Sequence, residues 1–358
     1  MTLKQPSVQD SGSFADSKEF AGVDAVSADT PSKQLRLSGR AGSSVWAKWS
    51  GLGVLLALVV IFSILRSSVF DTSATVGAVL IAEPVDFTIG LAALATLVVG
   101  QFDLSIGYTL GIASVLTAWI VTVLHVSIYF AVGAALGCGI VIGAINAVLV
   151  LVIGINPFIA TLGSGTIISG LILEVTHGNI LTGLPHGYTA NIATMLGGFF
   201  PVGTFYVIAL GLIAYLVLHH MVAGRAAIAV GSNPTASRLA GLPTRGITGA
   251  AFIVGGVLAA GAGLLDLGAI GSAYPTIGPD FLLPAFAVAF LGRTMVRPGE
   301  FNVGGMALAS LILAVGVTGL TEMGIASWVT PVFDGGVLII TVTIAILRGG
   351  RDAPFHLG

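Results

Sequence analysis

The sequence predicts an all-α polytopic membrane protein of about ten transmembrane helices, several of them broken or short. Three observations carry that reading. Of 358 residues, 55% are hydrophobic and only 8% charged, against about 25% charged in ordinary soluble domains. Ten apolar segments approach the roughly 20 residues a membrane helix needs. The basic residues, finally, sort to one side of the membrane once those segments are counted.

Residues 1–45 are rich in Ser, Asp, Lys and Gln and hold no apolar run, so they read as a disordered polar tail rather than a cleavable signal peptide. The membrane-spanning body covers 46–348, and 349–358 form a short C-terminal tail. The apolar segments are 46–68, 75–99, 105–125, 128–153, 157–177, 203–221, 246–270, 282–292, 303–321 and 329–347. Segment 282–292 is short, and the break near Asp103 falls at membrane depth.

An even count places both termini on one face. If that face is the cytoplasm, all 14 Lys and Arg residues except Arg66 lie inside, as the positive-inside rule requires. The loop from Thr176 to Val202, without a basic residue, then lies outside. The stretches 75–177 and 246–347 look like two corresponding halves interrupted by Gly and Pro, a pattern that suits broken helices lining a pathway. Gly107/Gly111, Gly133/Gly137 and Gly139/Gly143 have the spacing of close helix approaches. Cys138 is the single cysteine, which excludes an intrachain disulfide.

Between the sixth and seventh segments lies a polar island, GRAAIAVGSNPTASRLAGL, Gly224 to Leu242. Asn233 suits a helix cap, Pro234 the first helical position and Gly241 the residue beyond the last turn. About two turns fit between these signals, too few to cross a bilayer. The spacing predicts a short helix displayed on the surface for another protein to grip.

Inside the spans, a carboxylate costs roughly 2.5–3.5 kcal/mol near the bilayer centre on insertion scales, so such groups face a cavity or a partner. Glu83 and Asp86 flank Pro84, which frees backbone carbonyls. They line a polar pathway, or else bond to neighbouring helices near an interface. Asp103 precedes Ser105 by two residues, the spacing of an Asx-type turn that caps the next helix. Thr161, Ser164, Thr166 and Ser169 follow the restart at Asn156 and Pro157 and read as structural hydroxyls. Asp266, Tyr274 and Asp280 lie toward the outer end, where they either receive cargo or serve as ordinary interfacial residues. The six histidines form no metal-ligand spacing, and no Gly-x-x-x-x-Gly-Lys-[Ser/Thr] phosphate loop is present, so neither a metal site nor ATP hydrolysis is expected on this chain.

Three segments, GQFDLSIG (Gly100–Gly107), NPFIATLGSGTIISGL (Asn156–Leu171) and the island from Gly224, resemble in order and spacing the permease subunits of ribose-type ABC sugar importers. The resemblance runs from near Val45 to Leu347 and takes in Ser272–Thr276 and Leu291–Gly305. It implies a homodimeric channel in the bacterial inner membrane. An extracytoplasmic substrate-binding protein would feed the channel, and a cytoplasmic ABC ATPase that binds ATP and magnesium would drive it.

The short helix would dock on that ATPase through Asn233, Pro234, Ala236, Arg238, Leu239 and Gly241, with Glu83, Asp86, Asp103, Asp266 and Tyr274 as pathway candidates. Three features depart from the family pattern. Gly100-Gln101-Phe102 stands where two glycines and an aliphatic residue are usual, Arg293–Glu300 replaces a glycine-rich turn, and the Glu83/Asp86 pair is unusual. The expected function is import of a pentose, hexose or sugar alcohol by alternating access, with no nucleic-acid partner. The alternatives are a proton-coupled secondary transporter using the buried acids, or the same ABC machinery with another polar cargo.

Overall fold

The computed structural model describes residues 45–70, 72–197, 200–326 and 328–349. The polar tail and the C-terminal tail beyond Gly349 lie outside the described residues. In chain order the helices are α1 (Val45–Leu65), α2 (Ser67–Phe70), α3 (Ser73–Leu97), α4 (Ile106–Thr122), α5 (Ile128–Val148), α6 (Pro157–Thr176), α7 (His186–Ala193), α8 (Val202–His220), α9 (Val222–Ser232), α10 (Pro234–Leu239), α11 (Thr244–Ile270), α12 (Leu282–Thr294), α13 (Val303–Glu322) and α14 (Val329–Gly349). A π-helical turn, Leu149–Ile153, extends α5, and a 3₁₀ turn, Gly278–Phe281, leads into α12. The strands are two-residue pieces, Met195–Leu196 and Phe200–Pro201, paired antiparallel.

Each predicted segment contains a helix. Among the described residues, six helical stretches are long and apolar enough to cross a membrane by length and composition: those of α3, α5 with its π turn, α6, α8, α11 and α13. The apolar parts of α1, α4 and α14 are shorter, and α12 has 13 residues.

Helices α3 and α11 form the centre. They lie antiparallel: Ile247 and Ala250 near the start of α11 line one pocket with Leu94 and Val98 at the end of α3, while Asp266 near the end of α11 lies in electrostatic range of Asp86 in mid-α3. Two halves repeat around them. In each, a long helix (α3 or α11) breaks, continues as a shorter one (α4 or α12) and is followed by two more (α5–α6 or α13–α14). The packing matches too: α11 rests on α4 and α5 as α3 rests on α12 and α13, and α4 lies against α5 and α6 as α12 lies against α13 and α14. This is the neighbour pattern of an inverted repeat.

The two breaks meet inside the bundle. At Gly100 the chain leaves α3 with φ +77°, a conformation glycine adopts without strain. The segment from Ser272 to Phe281 enters from the opposite end until Gly278 touches Gly107 so closely that neither position has room for a Cβ. Ile277, Phe281 and Leu282 pack there against Ile106 and Leu110. The spacing pairs therefore divide: Gly107/Gly111 meet Gly278, Gly139/Gly143 meet α11 at Gly256 and Phe252, and Gly133/Gly137 face open space.

Two elements were not foreseen. The loop from Thr176 to Val202 contains α7, latched to α11 by Tyr188, whose hydroxyl donates to the Leu264 carbonyl at 2.6 Å. The polar island holds two helices rather than one, because its first half, α9, is apolar enough to pack. Gly231 lies against the Val98 carbonyl, and Gly224 against the end of α8, both without space for a side chain.

Candidate functional site

Two polar clusters lie within the bundle, and hydrogen bonding separates them. The first surrounds the α3–α4 break. Ser105 donates to Asp103 Oδ1 through both its N–H (2.9 Å) and its hydroxyl (2.6 Å), the Asx-type turn read from the sequence. Asn146 of α5 donates to Ser105 Oγ at 2.7 Å, and Ser164 of α6 donates to Asn146 Oδ1 at 2.7 Å. The Leu104 N–H donates to Thr161 Oγ1 at 2.9 Å. Backbone freed by the break is thus re-satisfied by side chains, the condition for irregular chain at membrane depth. Asp103 is 1% exposed and Asn146 fully buried. This cluster is a closed structural joint.

The second cluster is open. Asp86 on α3 lies in electrostatic range of Asp334 on α14, Glu83 on α3 and Asp266 on α11. Glu83 accepts from Ser310 of α13 at 3.0 Å. Oδ2 of Asp266 and Oδ1 of Asp334 are buried with no hydrogen-bond partner among the described residues, as is Oγ1 of Thr88. Buried polar atoms are nearly always paired, so the two carboxylate oxygens without a donor, on Asp266 and Asp334, set this cluster apart from the first. At 1.5 Å per residue Asp86 sits about 20 Å along α3, deep in the bundle, while Asp266 is about 6 Å from the end of α11.

The structure thus brings together three of the sequence-derived candidates, Glu83, Asp86 and Asp266. It places Asp103 in the other cluster and leaves Tyr274 38% exposed beside the Leu181–Ala273 bridge. Asp334 was missed. The signal was present, for it is a carboxylate within the last apolar segment, three residues after Pro331 and followed by Gly335 and Gly336, much as Glu83 and Asp86 flank Pro84.

The surface helix sits at the end of the bundle where α3 finishes. Asn233 Oδ1 accepts from the Ala236 N–H at 2.8 Å, capping α10, and Gly241 ends it at φ +84°. Of its six residues only Ser237 is buried, and Leu239 is 85% exposed.

A bundle with broken helices meeting at its centre, an unpaired polar cluster within it and a capped helix displayed at one end defines a membrane permease. A family profile described as "branched-chain amino acid transport system / permease component" matches residues 84–342. The chain belongs to that family. It is 31% identical over 316 residues to an autoinducer 2 import system permease protein of Klebsiella pneumoniae, covering 85% of this chain and 91% of the relative. It is 29% identical over 297 residues to the ribose import permease protein of Escherichia coli (81% and 91% covered). To the D-allose transport system permease protein of the same species it is 27% identical over 299 residues (84% and 91%). These relatives bear out the resemblance to ribose-type ABC importer permeases. No solved structure matches the chain.

Proposed function

We propose that the chain is the membrane-spanning subunit of an ATP-driven importer that carries a monosaccharide, a pentose, hexose or sugar alcohol, into the bacterial cell. The observation that carries this reading is Leu239, an apolar side chain exposed on a capped helix too short for anything but display. Docked in a cleft of a separate ATPase, α10 transmits the closure of that enzyme to the bundle. The ATP and magnesium belong to the partner. The charge pattern supports a cytoplasmic position for this end and for both termini: Arg225, Arg238, Arg245, Arg293 and Arg297 lie there, and Arg66 lies at the opposite end beside the Met323 carbonyl.

Cargo released by an extracytoplasmic binding protein enters at the opposite end and meets Glu83, Asp86, Asp266 and Asp334. A sugar offers a ring of hydroxyl donors to these acceptors, and rocking of the two halves about the central breaks exposes the cluster to one side at a time. The apolar outer faces of α5, α6 and α8 fit lipid and a second copy of the chain.

The buried acids also favour a proton-coupled transporter, and one experiment separates the two. Proteoliposomes containing the permease, its ATPase and its binding protein are expected to import labelled sugar with ATP inside, and to continue in the presence of a proton uncoupler. Import that survives without ATP and stops with the uncoupler would reverse the assignment.

A further inference from the structure

Beside α10, on the same end of the bundle, lies a pocket of about 250 Å³. Its walls come from four places: Leu97, Val98 and Gly100 at the end of α3, His219 at the end of α8, Ile228 and Ser232 on the last turns of α9, and Arg293, Glu300 and Phe301 from the α12–α13 turn.

The turn is held in one shape. Val296 takes φ +57°, a conformation a β-branched residue avoids unless its surroundings impose it. Asn302, 2% exposed, imposes it. The Asn302 amide faces the carbonyls of Gly292, Met295, Arg297 and Glu300 at 3.0–3.4 Å, while its oxygen accepts from the Gly305 N–H at 2.7 Å. Arg293 donates from Nε to the Gly299 carbonyl at 3.0 Å and lays its guanidinium 5.0 Å from the Phe301 ring centre. Arg297 is exposed at the rim, with Nη1 3.5 Å from His219 Nδ1. The rim thus carries two guanidiniums and an imidazole against one carboxylate, Glu300.

We propose that this pocket is a second docking point for the ATPase, a socket that receives an acidic side chain projecting from the enzyme while α10 is received by the enzyme's cleft. The inference rests on the ATPase-driven reading above and deepens it. Three observations favour an ATPase segment as the occupant. The pocket adjoins α10 through the last turn of α9. Its rim charge calls for an anionic partner. Its rigidity suits force transmission rather than adaptable capture.

The socket also opens onto a different lever. Arg293 ends α12, whose other end is the 3₁₀ turn that meets Gly107 at the central break. A push on the socket travels the length of α12, about 20 Å for its 13 residues, directly to that break. A single knob serves as a pivot, whereas a knob and a socket together fix the orientation of the enzyme on the bundle.

The test measures binding of the partner ATPase to the full permease in lipid nanodiscs. Arg297→Glu reverses an exposed rim charge and gives up the contact with His219, and Ile228→Trp fills the pocket from the α9 wall while leaving the turn's own residues unchanged. Each is expected to weaken ATPase binding at least tenfold, and wild-type binding should weaken as salt rises from 50 to 300 mM, over which the Debye length shortens from about 14 Å to about 6 Å. Leu239→Asp serves as the comparison. If both socket variants bind within threefold of wild type while Leu239→Asp fails to bind, the socket is refuted and α10 docking stands. If all three bind normally, the ATPase-driven reading falls with it.

Discussion

Leu239 projects from α10 with 85% of its surface open, so a partner cleft that accepts α10 has nearly a whole leucine side chain to bury. Full burial of such a side chain contributes about 1.5–3 kcal/mol. Leu239→Ala is therefore expected to weaken ATPase binding about 10- to 100-fold, at roughly 1.4 kcal/mol per decade. Leu239→Asp loses the same burial and adds the desolvation of a carboxylate in a site shaped for an apolar group, about 1–3 kcal/mol more. Its loss should be about 60-fold or more. Because the side chain makes so little contact within the chain, both variants should fold and insert normally, which a thermal midpoint in detergent checks. The assay is the equilibrium constant of the purified ATPase for nanodisc-embedded permease, paired with sugar import in proteoliposomes. Binding within threefold of wild type for Leu239→Asp, with the protein folded, would show that α10 is not the grip.

Glu83→Gln with Asp86→Asn should change the rate or sugar preference of import while ATPase binding stays at wild-type strength, and an unaltered transport profile would remove the acids from the route. Asp334→Asn is expected to act in the same direction, and an effect confined to protein yield would count against it. Asn302→Ala removes a helix cap worth about 1 kcal/mol and leaves buried carbonyls short of a donor at about 1–1.5 kcal/mol each. A loss of about 3–4 kcal/mol in unfolding free energy is the expected sum, with Asn302→Asp recovering only the cap, and a change under 1 kcal/mol would contradict the role given to the clamp. Gly231→Val places a side chain into the Val98 carbonyl and should lift α9 away from α3, seen as faster amide exchange across Val222–Ser232.

The helices were legible because membrane spans are written in long apolar runs, and a cap such as Asn233 is written in a single residue. Asp103 was legible for the same reason, since an Asx turn is local. What escaped depended on distant neighbours. Helix α9 looks polar beside the spans around it, yet two glycines let it lie against α3 and α8. Helix α7 is short and owes its place to a hydrogen bond from Tyr188 to a carbonyl 76 positions along the chain. Spacing alone made the Gly133/Gly137 pair equal to Gly139/Gly143, and only the position of α11 distinguishes them. For the acids, sequence identified the price of burying each one but not their company, which is how Asp334 went unnamed while its neighbours on α3 and α11 were singled out.

The joint at Asp103, Ser105, Asn146 and Ser164 shares no residue with the acidic chamber. On the proposed reading, exchanging the acids leaves every hydrogen bond of that joint in place, so cargo preference and architecture can be altered independently. A lineage built this way diversifies its diet without redesigning its skeleton.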